Sequence, residues 1–591
     1  MMRNLLQSPR RLLWLSTVVV LLVQTILFTR SATIHGFATG DGGVKLWQVQ
    51  GILRAGDLNA PLDYPGAVYD PDHQYAPFVE PWAFWKDGKF YSEYTSPFIW
   101  ASVPLYALLG HAGLMILPWL CGMLVVIMTA WLAWRVRPDR SAALAPLIVG
   151  FASPLLIYSL EFWEHTPGTA LAVFALVAMV KALASRRRNV WLVVSGAAIG
   201  LSLTMRAELY VYPIAIVIGL LFIRSTRSMP LIRSVVWLAL GGLITAGPWW
   251  LYQFITWGSP FGPRLQQNVP IFGSTEMQVR LGDTTGHNYV MLWPQDGGAV
   301  DALIILLVAA ISLAGILRML RRLPAFNSTM GAHVFAIGFW LLALVLICLA
   351  IVTSWRLTQE VRPKDLLTTF PLALLLLLPI PGSAGRLAKL DADASRIVRF
   401  LGSTTAAFVV LVLLVSPFEG GIQWGPRFLL PIVVALTVIV VLHAWKLWNS
   451  WQRAGKFGVA LVLVVLFVAG AYSTWNGVRT FVEARQGTAD LAAKIASLPE
   501  HVVVADAWFI PQGAPYTLSD KLWFMAEDET RMFQLLQMLR KTTPETSVIY
   551  LSSPYWAHVD PLIIMGPRLA LIGDPPDTNQ YITIARYQLL R

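Results

Sequence analysis

Residues 166–188 read TPGTALAVFALVAMVKALASRRR, and this stretch decides the fold. The apolar part, 166–184, is close to the ~20 residues that a helix needs to cross a bilayer. A helix is the form such a run takes in lipid, because it satisfies its own backbone hydrogen bonds. The run stops at Arg186, Arg187 and Arg188, the kind of cluster that marks the cytoplasmic end of a span.

The same pattern repeats outward in both directions. Of 591 residues, 56% are hydrophobic and 13% charged, against roughly a quarter charged in an ordinary soluble protein. The formal charge of +12 does not point to nucleic acid, because the basic residues sit in short clusters between apolar runs. Cys121 and Cys348 each lie inside such a run and read as small buried hydrophobes, with no disulfide or zinc framework.

We expect about thirteen spans, at residues 12–28, 113–134, 142–160, 166–184, 190–205, 209–223, 235–255, 301–316, 334–353, 366–380, 400–415, 428–445 and 458–472. Residues 97–109 are apolar but short, and we expect them at the interface. Arg3, Arg10 and Arg11 before the first span resemble a signal peptide's charged region. No small-residue cleavage site follows, so the expectation is an uncleaved span with its N-terminus in the cytoplasm. Alternating sides from there puts a Lys/Arg cluster in every inner loop and leaves 29–96 and 256–298 as long outer loops. Arg356, Arg362 and Lys364 fall in an inferred outer loop and make spans nine and ten the least regular.

Beyond residue 475 the character changes. Segments 488–498 and 528–539 read as helices, and 501–504 and 547–551 as strands. Strands alternating with helices predict a small α/β domain with a parallel pair. The expected division is therefore a transmembrane part, 1–475, and an extracytoplasmic α/β domain, 476–591.

Charged residues are rare inside the spans, where they mark transport paths, and collect instead at the outer span ends. In the first outer loop Asp41 follows Gly40 and precedes Gly42 and Gly43. Val44, Trp47, Ile52 and Leu53 then suggest an amphipathic helix lying along the membrane. Asp41 reads either as that helix's N-cap or as a general base at the lipid–water boundary, where a carboxylate short of water readily takes a proton. The flanking glycines permit either a ligand's approach or just a turn.

Glu161, Glu164 and His165 follow the third span at spacing i, i+3, i+4, so one helical face would hold all three. They read as metal ligands or a base with its orienting group, or as acids at a helix N-terminus with an interfacial histidine. Arg206 and Glu208 form the next outer turn, as an ion pair or with the arginine on a lipid phosphate. The turn 420–427 contains Trp424 and Arg427, the latter placed to hold a phosphate or to snorkel. His35, His73, His111, His287, Asp70, Asp72, Glu80 and Glu93 read as solvated loop residues.

Taken in order, these residues resemble the C-type superfamily of integral-membrane glycosyltransferases. The likeness is to bacterial relatives of the protein O-mannosyltransferases and of the lipid A aminoarabinose transferase. It covers most of the chain. It runs through Asp41, the segment 91–97 with Glu93, the Glu161/Glu164/His165 loop, the Arg206/Glu208 turn and residues 424–427.

The resemblance implies Asp41 as catalytic base and Glu161/Glu164 as the second acidic motif, with Glu164 and His165 among the catalytic residues. It also implies Glu93, Arg206, Glu208, Trp424 and Arg427 around substrate and lipid phosphate. Glu161 and Glu164 become ligands if a divalent cation, magnesium or manganese, takes part. Relatives often show Asp-x-Asp or Glu-x-Asp where this chain has Glu-x-x-Glu-His.

The implied reaction moves a sugar from a polyprenyl-phosphate donor to a hydroxyl of a glycan, lipid or protein, with inversion, at the outer face of a bacterial cytoplasmic membrane. The acids distant in sequence would then meet at the membrane surface around the carrier's phosphate. Three other classes compete, among them a non-catalytic sensor whose tail binds ligand, although the tail shows no recognisable pocket motif. A transporter or flippase calls for inverted repeats and midplane polar groups. A polysaccharide polymerase or ligase relies on later outer-loop histidines and arginines.

Overall fold

The computed structural model describes residues 8–94, 96–223, 230–263, 288–292, 300–320, 329–359, 362–381, 390–416, 420, 423–554, 565, 568–572, 577–578 and 582–590. The inferred loop 256–298, with His287, lies largely outside them. So do Gly421 and Ile422.

The chain opens with helix α1 (Pro9–Ser31), then α2 (Gly40–Ala55), the hairpin β1 (Ala83–Lys86) and β2 (Lys89–Ser92), and α3 (Pro97–Leu109). A largely helical stretch follows: α4 (His111–Val136), α5 (Leu144–Phe151), α6 (Leu155–Ser159), α7 (His165–Ala184), α8 (Arg188–Leu203), α9 (Tyr212–Phe222) and α10 (Leu231–Trp257). It continues with α11 (Val300–Leu320), α12 (Thr329–Arg356), α13 (Leu366–Thr369), α14 (Ala392–Val415), α15 (Ile432–Ser450) and α16 (Arg453–Ser497). The tail holds β3 (Val502–Ala505), α17 (Phe509–Gly513), β4 (Leu522–Met525), α18 (Glu529–Thr542), β5 (Ser547–Ser552), β6 (Leu569–Leu571), β7 (Asp577–Thr578) and β8 (Thr583–Leu589).

Two compact units emerge, 1–29 with 115–480, and 30–114 with 481–591. The first unit is the membrane part. Across the whole chain, nine helices among the described residues are long and apolar enough to cross a bilayer: α1, α4, α7, α10, α11, α12, α14, α15 and α16.

The other four expected spans are short or broken, for local reasons. Ser153 and Pro154 split 142–160 into α5 and α6. Residues 190–205 form the 16-residue α8, and 209–223 begin in a 3-10 turn before α9. Prolines 371, 379 and 381 replace the span at 366–380 with α13 and a 3-10 segment, Pro371–Leu377. A proline lacks its N–H and blocks the turn before it. Two of the carbonyls freed in that segment take outside donors, Arg318 Nη2 to Leu376 O at 2.8 Å and the His443 ring to Leu378 O at 2.9 Å. Irregular backbone survives at membrane depth when its polar groups are met in this way. Cys121 and Cys348 are free and half-buried.

In the second unit the tail builds a sheet of order β4-β3-β5-β8-β6, with β7 on β8. β3 is parallel to both β4 and β5, and β8 runs antiparallel to β5 and β6. Strand β3, Val-Val-Val-Ala, is wholly buried. Helix α18 buries Met532, Leu535, Leu536 and Leu539, the one-face pattern of a packed helix, and Asp528 caps it by accepting from Arg531 N. The first loop joins this sheet domain, as Met525 N donates to Tyr75 O at 2.8 Å.

Candidate functional site

In the unit of 30–114 and 481–591, Asp41 sits in the first turn of α2. The N-cap is Thr39, so Asp41 does not cap the helix as one reading had it. Its Oδ1 instead accepts the indole N–H of Trp82 at 3.2 Å. Trp82 stacks on Trp508, with ring centroids 4.0 Å apart and planes 19° from parallel. Trp508 follows β3, whose end is held by Asp506: its carboxylate accepts from Tyr550 Oη at 3.1 Å and Ser553 N at 3.2 Å.

The glycines beside Asp41 serve packing. A Cβ on Gly43 would stand 2.0 Å from the Gln512 carbonyl, so α17 approaches α2 as only glycine permits. Helix α2 is correspondingly buried from Gly42 to Val49, with the Trp47 indole donating to Pro515 O at 3.2 Å. The expected amphipathic helix on lipid is therefore covered by protein instead.

Two further residues of this unit stand out. Lys45, one turn after Asp41, is 1% exposed, and its Nζ lies 4.5 Å from the centre of the Tyr94 ring. The sequence reading passed over it, although the spacing i, i+4 places it on the face of Asp41. Glu93 is buried rather than solvated, and its N–H donates to Trp82 O at 3.1 Å. Asp70 and His111 are also buried. Asp70 braces its loop by accepting from Tyr64 Oη and Tyr75 N, each at 2.8 Å.

In the membrane unit the turns at 158–165, 206–208 and 424–428 come together. Helix α7 begins at His165 with Glu164 at its N-cap and no side-chain cap bond. Residues 161–163 are not helical, bending at 161–162, so the expected single helical face for Glu161, Glu164 and His165 is not present. The Glu164 carboxylate turns to Arg206, whose Nη1 donates to Oε1 at 2.8 Å. Arg206 Nε donates to Glu208 Oε1 at 2.9 Å, so one guanidinium bridges two buried carboxylates. His165 Nδ1 lies 4.0 Å from Glu208 Oε1, and the ring meets Tyr158 and Trp163 edge-on. Glu161 is buried nearby in sequence.

Phe428 ties the third turn to this cluster. The guanidinium of Arg427 lies 5.1 Å from its ring centre and that of Arg206 5.8 Å. Gly425 takes φ +74°, closed to most side chains, while its N–H donates to Pro363 O at 2.6 Å. Trp424 is 1% exposed, and its indole N–H has no hydrogen-bond partner among the described residues. Tyr158 Oη is also buried, facing the Trp424 backbone. The turn packs on Thr369, whose hydroxyl donates at 2.8 Å to the carbonyl of Asp365, a residue that sequence reasoning missed. Asp365 is 1% exposed and caps α13 through Thr368 N at 2.7 Å. Burial pushes its carboxyl up to about 6, against the pull of Thr368 and Arg356.

Among the described residues no three His, Cys, Asp or Glu side chains are grouped to hold a metal ion. With Arg206 already on Glu164, the pair Glu161 and Glu164 does not fit a resident dication.

No protein-family model and no curated protein sequence matches the chain. Solved structures do. ArnT from Cupriavidus metallidurans, bound to undecaprenyl phosphate, is 14% identical with a TM-score of 0.50, over 96% of this chain and 97% of that one. Its apo state gives 14%, 0.49 and the same coverage. The Archaeoglobus fulgidus oligosaccharyltransferase in the apo form is 13% identical with a TM-score of 0.45, over 90% of this chain and 69% of that one. This integral membrane protein therefore has the fold of ArnT.

Proposed function

We propose that the protein is a glycosyltransferase that moves a sugar from a polyprenyl-phosphate donor to an acceptor hydroxyl. The observation that carries this reading is the buried Arg206, fixed between Glu164 and Glu208 and sharing the Phe428 ring with Arg427. The undecaprenyl phosphate bound to ArnT supports the donor class.

The acceptor oxygen attacks the anomeric carbon from the face opposite the phosphate, and its proton passes to Asp41. The anomeric C–O bond breaks, the electron pair leaves with the phosphate, and the configuration inverts. The departing polyprenyl phosphate gains one negative charge as it changes from diester to monoester. Arginines already in position stabilise that charge without reorganising. Arg427 and Arg206 take this role, the unmatched indole N–H of Trp424 adds a donor, and Trp82 holds the Asp41 carboxylate in place.

The reaction is placed at the outer face of a bacterial cytoplasmic membrane, with the N-terminus inside and residues 476–591 outside. The test is incubation of purified protein with radiolabelled polyprenyl-phosphate sugars and an acceptor extract. Release of free polyprenyl phosphate with a glycoside of inverted configuration is expected. Label moved across the bilayer with no new glycosidic bond would support the transporter class instead.

A further inference from the structure

A second charged locus lies at the other end of α7, some 20 residues or about 30 Å from Glu164 at 1.5 Å per residue. That is the thickness of a bilayer core, so it belongs to the opposite membrane surface. Here the α7–α8 turn and the start of α10 enclose a cavity of about 400 Å³. Arg186, Arg187, Arg188 and Arg233 line it, together with Asn189 and Ser234.

Close helix packing creates the cavity. A Cβ on Gly196 would meet Leu238 O at 2.0 Å, and one on Gly241 would meet Val193 O at 2.1 Å. Small residues thus press α8 against α10 and set their first turns side by side.

The charged residues lining the cavity are all of one sign, Arg186, Arg187 and Arg233 being exposed and Arg188 half-buried. Both helix starts lack a side-chain cap, and a helix N-terminus already carries partial positive charge. Four guanidinia are added there. Among the described residues no carboxylate pairs with any of them, and the one recorded bond is from Arg188 Nε to Ala182 O at 3.3 Å. Fixing the orientation of the protein requires only basic residues in the loop, not their convergence on a cavity. The lipid-facing wall beside it is apolar, with Val190, Ile232 and Val236 58%, 79% and 57% exposed.

We propose that this cavity holds the headgroup of an anionic phospholipid. The phosphate lies among the four arginines, and the acyl chains lie along Val190, Ile232 and Val236. Guanidinium forks match phosphate oxygens in pairs, and the apolar wall distinguishes a lipid from a soluble phosphate.

Native mass spectrometry of the full-length protein, released from nanodiscs of mixed phosphatidylglycerol and phosphatidylethanolamine, tests this. Wild type should retain phosphatidylglycerol selectively. R187Q/R233Q should retain it about 25-fold less well, at roughly fivefold per arginine near a membrane surface. R186K/R187K/R188K preserves the charge that sets topology but loses the forks, and should fall several-fold. Equal retention by wild type and R187Q/R233Q would overturn the proposal. So would displacement of the lipid by inorganic pyrophosphate at equal concentration, which would make the site one for soluble anions. As a check needing no variant, phosphatidylglycerol with a photoreactive acyl chain should label α8 and the start of α10 in unmodified protein. Labelling confined to other helices would likewise overturn it.

Discussion

The two polar clusters hold their charges in opposite ways. Around Arg206, buried groups are locked to one another: one guanidinium, two carboxylates, an edge-held histidine and a shared phenylalanine ring. Around Asp41, a half-buried carboxylate accepts the Trp82 indole N–H at 3.2 Å, its one hydrogen bond among the described residues. A group held on several sides is suited to stabilising charge that develops elsewhere. A carboxylate with one neutral donor is suited to taking a proton and giving it up again. The contrast supports the proposed division, with Asp41 in proton transfer and the Arg206 cluster in charge stabilisation.

The largest expected effect breaks the contrast at Asp41. D41N should lower turnover by about 10²–10⁴-fold, the usual cost of losing a general base, with little change in melting temperature. Near-full activity of purified D41N would remove Asp41 from the mechanism.

At the locked end the expected damage is mixed. R206Q leaves two buried carboxylates without their cation, which typically costs about 3–5 kcal/mol, so it should melt earlier as well as lose activity. R427Q, by contrast, should keep the wild-type melting point and lose about 10²-fold in turnover, as for one lost donor to developing charge. Equal destabilisation by both variants would mean that the two arginines share a structural role only.

W82F keeps an aromatic ring stacked on Trp508 but removes the indole N–H. A hydrogen bond to a charged group contributes about 1.5–3 kcal/mol. We therefore expect at least about a tenfold fall in turnover. A loss in KM alone would make Trp82 a binding residue rather than one that positions Asp41.

The smallest expected effect concerns metal. Because Glu164 is committed to Arg206, chelation with EDTA should change the rate less than about twofold, against the several kcal/mol that a Lewis-acid ion supplies. A large loss restored by manganese or magnesium would return Glu161 and Glu164 to the role of ligands.

Most of the helical plan was legible because hydropathy is local. Each long helix matches an apolar run, and the strands at 502–505 and 547–552 fall within two residues of where they were expected. The plan fails where proline acts, at 154 and 371, because an apolar run shows length but not whether its backbone can continue. In the site, residues 164, 206, 208 and 427 were each visible as charges at span ends. Arg206 bridging Glu164 was not, since those residues are 42 apart in the chain. Lys45 and Asp365 were passed over because a single buried charge looks like any loop charge when read by itself.

What the sequence determined alone was the solvent. Lengths of apolar run and the placement of arginines define a membrane protein, because transfer of side chains between water and lipid is additive and needs no partner. The tertiary structure decided what each charge does. Whether a carboxylate is locked or free depends on which cation reaches it through space, and local pattern carries no such distance.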